Sequence, residues 1–288
     1  MIYSSAAQWH EADNKRILLF GMSGLGKTFI SNMLRQTGNW FHYSVDYRIG
    51  TRYMGEHIAD NFKAEAMKNP FLAQLLRSDS IYVASNITFE NLAPLSTYLG
   101  KPGDPAKGGI PFDEYLRRQE LHRQSEIAAM LDTPHFITRA DALYEYGNFI
   151  CDTSGSICEV VEPNDPDDPV LSTLANNLLL IWIEGSEDHT DKLIRRFDRA
   201  PKPMYYQPDF LAKSWDAYIN ETGDAPDKVD PDAFVRWTYA RALAHRTPRY
   251  RAMAEKWGVS VTAEEVWQIK NPADFDALIA KAIERNQN

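Results

Sequence analysis

The chain has 288 residues, of which 44% are hydrophobic and 25% charged, and carries a formal charge of −9. That composition supports a sizeable core and excludes a low-complexity chain, and the acidic balance disfavours a general affinity for nucleic acid. The two cysteines, Cys151 and Cys158, fit no zinc spacing and point to a reducing cytoplasm. The N-terminus lacks the basic and apolar regions of a signal peptide, and the densest apolar run, 178–183, is too short to span a bilayer.

Residues 1–15 read as a short leading helix or an arm. The apolar run Ile17-Leu18-Leu19-Phe20 reads as a buried strand and leads into Gly21-Met22-Ser23-Gly24-Leu25-Gly26-Lys27-Thr28. A helix follows, with Phe29, Ile30, Met33 and Leu34 on one face and Gly38 as its stop. Residues 40–46 read as a second strand, aromatic and β-branched, that ends on Asp46. Residues 53–80 are helical by pattern and broken at Pro70; 85–111 are loop-rich, with 99–111 too rich in Gly and Pro for regular structure; 112–131 return to helix. Residues 148–152 read as a third strand ending on Asp152. Asp168 and Pro169 open a further helix, and 178–183 is a continuous apolar strand of the kind buried on both faces of a parallel sheet. A helix from Glu187 to Arg196 grows basic toward its end and is broken by Pro201, Pro203 and Pro208. One helix is expected from Asp230-Pro231 to about His245 and another from Arg249 to Lys256. A short strand at 259–262 and a terminal helix opened by Asn271-Pro272 complete the chain. Strands alternating with helices predict an α/β fold with a three-layer, doubly wound parallel sheet and helical insertions. The expected organisation is a single domain over 1–288, with a helical insertion at 53–140 forming an acceptor-side lobe and a lid and second insertion within 186–245.

Residues 21–28 satisfy G-x-x-x-x-G-K-[ST] in the strand–loop–helix context the motif requires. Glycines let successive backbone N–H groups turn inward on a phosphate chain, and the following helix adds its positive end. Lys27 can reach the β- and γ-phosphates, and the Thr28 hydroxyl can ligate Mg²⁺. ATP and Mg²⁺ are therefore the expected cofactors. Asp152, at a strand tip, is the candidate second acid of the Mg²⁺ site; a turn-capping Asp is the plainer reading. Asp46 is the candidate that binds or deprotonates an acceptor hydroxyl, with Arg48 beside it; a turn Asp paired with Arg48 or Arg52 is the alternative. Arg195, Arg196 and Arg199 read as a lid whose cations close over the triphosphate, or else as a solvated basic face at a helix end. Arg246 and Arg249 form a second, weaker set. The histidines form no metal cluster, and no G-x-S-x-G elbow occurs.

The order of these pieces resembles the small-metabolite P-loop kinases, most closely the shikimate kinase-like enzymes. The resemblance lies in the phosphate loop, in Ser44-Val45-Asp46 as the acceptor-holding strand end, and in Cys151-Asp152-Thr153-Ser154-Gly155 as the turn after the third strand. It continues through 178–199 as a strand leading to an arginine lid and ends with Arg246-Thr247-Pro248-Arg249-Tyr250 near the adenine. It implies a strand order of 2-3-1-4-5. Ser44 stands where the family pattern has a second acid, the family's glycine-rich GGG turn is absent, and the insertions at 53–140 and 200–235 point to an acceptor other than shikimate. The leading function is transfer of the ATP γ-phosphate to a hydroxyl of a small metabolite or nucleoside. Two alternatives stand beside it: an ATPase or switch acting on a protein partner, and a kinase acting on a hydroxyl of a polynucleotide.

Overall fold

The computed structural model describes residues 1–287. The chain runs α1 (Ala6–Glu11), β1 (Arg16–Phe20), α2 (Lys27–Arg35), β2 (Trp40–Ser44), α3 (Val45–Arg48), α4 (Gly55–Met67), α5 (Pro70–Arg77), α6 (Ala93–Leu99), α7 (Phe112–Leu131) and α8 (Thr133–Tyr144). It continues through β3 (Asn148–Asp152), α9 (Ile157–Val160), α10 (Pro169–Asn177), β4 (Leu179–Glu184), α11 (Glu187–Arg199), α12 (Pro208–Thr222), α13 (Pro231–Trp257), β5 (Gly258–Thr262), α14 (Ala263–Trp267) and α15 (Pro272–Arg285). A single π turn, Ile49–Tyr53, joins α3 to α4.

The five strands form one sheet, all parallel, in the order β2-β3-β1-β4-β5. β1 is the central strand, flanked by β3 and β4, and the apolar residues of β1 and β4 are buried on both faces because helices cover both. α2 and α8 pack on β2 and β3, α10 and α14 on β4, and α15 on β5. Caps fix where these helices start. The Asp168 carboxylate accepts from the N–H groups of Val170 and Leu171 at 3.0 and 2.8 Å, with Pro169 at the first helical position. Thr262 and Glu265 form a reciprocal capping box at α14. No helix among the described residues is long and apolar enough to cross a membrane.

The chain comprises two compact units. The first gathers 1–45, 127–200 and 238–288 and contains the whole sheet. The second gathers 46–126 and 201–237 and is built from helices. Its interior holds Trp215 stacked on Phe112, with ring centres 4.2 Å apart, and Phe234 edge-on to Trp215 and Tyr218. His122 stacks on Tyr205 in the same unit, and Gln119 bridges the carbonyl of Met204 and the N–H of Tyr206.

The sequence expectations need four corrections. β2 ends at Ser44, so Asp46 does not terminate a strand; it lies in the first turn of α3. The stretch 85–111, expected to be loop-rich, carries α6. α12 and α14 lie where no helix was expected: α12 starts on Pro208, which follows the cap Gln207 and opens a helix. Finally, Pro248 does not divide two helices, because α13 runs through it for 27 residues. An interior proline costs about 3 kcal/mol. Here Arg246, Tyr250, Met253 and Ala254 on either side of it are buried, and that packing holds the helix straight through.

Candidate functional site

The glycine loop leaves β1 between β3 and β4, at the carboxyl edge of the sheet. Gly21, Gly24 and Gly26 adopt φ of 136°, 79° and 102°. Two of them are also sterically required. A Cβ on Gly21 would meet the Ile183 carbonyl of β4 at 2.7 Å, and one on Gly26 would meet the Val266 side chain of α14 at 2.8 Å. The loop is therefore pressed against its neighbours, and its curl turns directly into α2. Lys27 is buried, and its Nζ donates to the carbonyls of Gly21 and Met22 at 2.7 and 3.0 Å. The ammonium is folded back over the mouth of the loop. Ser23, Gly24 and Thr28 are exposed. A lysine-closed glycine curl between the central strand of a 2-3-1-4-5 parallel sheet and the next helix decides the architecture.

This is a P-loop fold.

Asp152 is brought beside that P-loop. It pairs in register with Leu19 of β1, and the hydroxyl and N–H of the following Thr153 both donate to the Leu19 carbonyl, at 2.9 and 3.2 Å. Its carboxylate is 14% exposed and lies 3.9 Å from His42 Nε2. Thr28 and Asp152 fit a Mg²⁺ site of the kind that takes one hydroxyl, one carboxylate, phosphate oxygens and waters; such a site needs no cluster of protein ligands. Among the described residues no such cluster exists.

The other sequence candidates divide. Arg195, Arg196 and Arg199 sit on the exposed side of α11, whose inner side is anchored by the buried His189, Leu193 and Phe197. Phe197 stacks on Tyr239 of α13 with ring centres 3.8 Å apart. Asp46 and Arg48 are half-buried in α3, and the Arg48 guanidinium lies 5.6 Å from the Tyr53 ring centre. Arg246 and Arg249 serve the turn after β3. Buried Arg246 donates from Nε to Glu159 at 2.7 Å and from Nη1 to the Gly155 carbonyl at 3.1 Å. Arg249 holds the carbonyls of Cys158 and Val161, each at 2.6 Å.

Sequence reasoning assigned no individual role to several residues here. Gly155 is one: a Cβ on it would stand 4.0 Å from the Ser23 N–H nitrogen, so the turn after β3 lies against the P-loop. Tyr250 is another; its hydroxyl donates to the Gly155 carbonyl at 2.6 Å, and burial raises its pKa well above the usual tyrosine value, keeping it a donor. His189 completes the set, with Nε2 3.3 Å from the Ser23 carbonyl; since the carbonyl accepts, this nitrogen carries the proton. Both cysteines are buried, and burial pushes their thiols up, so neither is a nucleophile. The only sequence signal for Gly155 was its place three residues after a strand-end acid.

A cleft of about 800 Å³ opens beside the loop within the same unit. Met22 and Leu25 of the loop, Trp182 and Glu184 at the end of β4, and Ala244, Thr247 and Arg251 of α13 are among the residues that line it. Arg251 is held there by Glu184 at 3.2 Å.

No family model matches the sequence, and no curated protein matches it significantly. Among solved structures the chain is similar to shikimate kinase from Bacteroides thetaiotaomicron, at 14% identity over 95% of this chain and 96% of that one, with a TM-score of 0.37. At that level the likeness carries no weight for the activity, which has to be argued from the site.

Proposed function

We propose that the chain binds Mg-ATP at residues 21–28 and transfers the γ-phosphate to a hydroxyl of a small metabolite or nucleoside. The observation that carries this is the curled loop with Lys27 folded over its mouth, at the end of the central strand. Phosphoryl transfer needs positioned phosphates, a metal and cations more than it needs a covalent group. In this reading Thr28 and Asp152 hold Mg²⁺, which when bound offsets the charge on the phosphate oxygens. The loop N–H groups and Lys27 hold the β- and γ-phosphates. Asp46, with Arg48 beside it, receives the acceptor hydroxyl, and Arg195, Arg196 and Arg199 supply cations from α11. The cleft beside the loop takes the base and ribose. The segment 53–140 shapes the acceptor side, and 186–245 carries the lid.

The test is ADP release from Mg-ATP by the full chain, alone and with a pooled metabolite extract. The extract should raise turnover many-fold, and Lys27→Ala should lower it by about 10²-fold or more. Asp46→Asn should lose transfer while keeping ATP binding. Substantial basal turnover that the extract leaves unchanged would replace this reading with an ATPase acting on a protein partner.

A further inference from the structure

The cleft beside the P-loop carries an acceptor that ordinary helices do not offer. In α13 the donor that should serve the Ala244 carbonyl is the N–H of residue 248, four residues on, and residue 248 is proline. Proline has no N–H, so Ala244 keeps an acceptor without its usual helical partner. Ala244 is exposed and lines the cleft, as do Thr247 and Arg251 on the same face of the helix. Arg251, the one cation of that lining, is already engaged by Glu184, and Glu187, Asp191 and Glu264 add further carboxylate acceptors. The hydroxyls of Ser186, Thr190, Thr247 and Thr262 share the lining, and with four carboxylates against one guanidinium, acceptors predominate around Ala244.

We propose that Pro248 sets the base specificity of the site: by freeing the Ala244 carbonyl it provides the acceptor for the 6-amino group of an adenine base. This rests on the nucleotide reading above and narrows it. The amine donates one N–H to the Ala244 oxygen. A 6-oxo purine turns a carbonyl toward that oxygen instead, so it loses the bond and leaves two acceptors facing each other. A site built around a substrate N–H discriminates strongly against an analogue that lacks it.

The experiment is calorimetric titration of the full chain with Mg-ATP, Mg-ITP and Mg-GTP, repeated in Pro248→Ala and Lys27→Ala. ITP differs from ATP in the 6-substituent and in the N1 proton that the 6-oxo form carries, and GTP has a further amine at position 2. The native chain should bind ATP about tenfold or more tighter than ITP or GTP. Pro248→Ala restores the N–H, so the helix reclaims the Ala244 carbonyl. That variant should bring ATP and ITP to within about threefold of each other while its melting temperature holds or rises, because an interior proline is removed. Equal affinity of the native chain for ATP and ITP overturns the proposal, as does GTP binding tighter than ATP. Discrimination that survives in Pro248→Ala with an intact fold also overturns it. Failure of the native chain to bind any of the three, or binding indifferent to Lys27→Ala, would instead bring down the nucleotide reading beneath it.

Discussion

At the carboxyl edge of the sheet, polar side chains reach backbone atoms far along the sequence: Arg246 and Tyr250 meet the Gly155 carbonyl across 91 and 95 residues, and His189 meets the Ser23 carbonyl across 166. The interior of the second unit is filled by stacked rings, Phe112 on Trp215 and His122 on Tyr205. Hydrogen bonds fix distance and direction together, whereas ring contacts mainly fill volume and tolerate adjustment. The first arrangement suits a loop whose N–H groups must stand at fixed positions. The second suits a helical body whose surface can vary around a conserved volume.

Breaking the polar side should cost most. Arg246→Ala leaves Glu159 buried without that partner, and about 3–5 kcal/mol of stability should be lost, measured by urea unfolding. Replacing the pair together, Arg246→Met with Glu159→Leu, should recover most of that stability yet still weaken ATP binding, because Gly155 loses a tether. If the double variant binds ATP normally, the polar network serves stability alone and the contrast collapses.

A second prediction concerns the histidine inside the stacked interior. Burial holds His122 down to about 4 from the ordinary histidine value of 6.5, although Glu126 lies 3.6 Å away. Between those pH values the unfolded chain takes up a proton that the folded chain refuses, so stability falls as pH drops, by on the order of 3 kcal/mol in all. His122→Gln should flatten the melting-temperature profile from pH 6.5 to 4, and an unchanged profile would assign the acid loss to carboxylates elsewhere. The smallest effect is expected from Trp215→Leu, about 2 kcal/mol, with ATP affinity untouched. A comparable loss of ATP affinity there would show that the ring-packed body is not indifferent to the site.

How far each region could be read from sequence follows the same division. β1, the glycine loop and α2 were legible because the motif encodes a backbone path in local residue types. β4 was legible because burial on both faces leaves an unbroken apolar run. The end of β2 was not, since Val45 and Asp46 suit a strand by composition, and only the structure shows the helical turn they enter. Pro248 misled for a related reason: its local cost is real, but the buried residues on either side outweigh it, and they come from contacts that no local window contains. His189 was invisible, and Gly155 and Tyr250 entered only as parts of the family resemblance with no role of their own, because what distinguishes them is a partner many residues away. The end of β3 at Asp152 was legible from an apolar run that stops on an acid, a local feature.

The strand order has a consequence for how the protein is made. β1 is synthesised long before either of its neighbours: Arg16 pairs with Phe149 on one side and Ile17 with Leu179 on the other. The strand that carries the P-loop gains its first partner only when β3 is made, more than a hundred residues later, and its second only with β4. Parallel pairings at such separations are slow to close and expose sticky surface meanwhile. The strand that leads into the P-loop is thus made well before the sheet that gives it a shape, which makes it a natural client of a chaperone during translation.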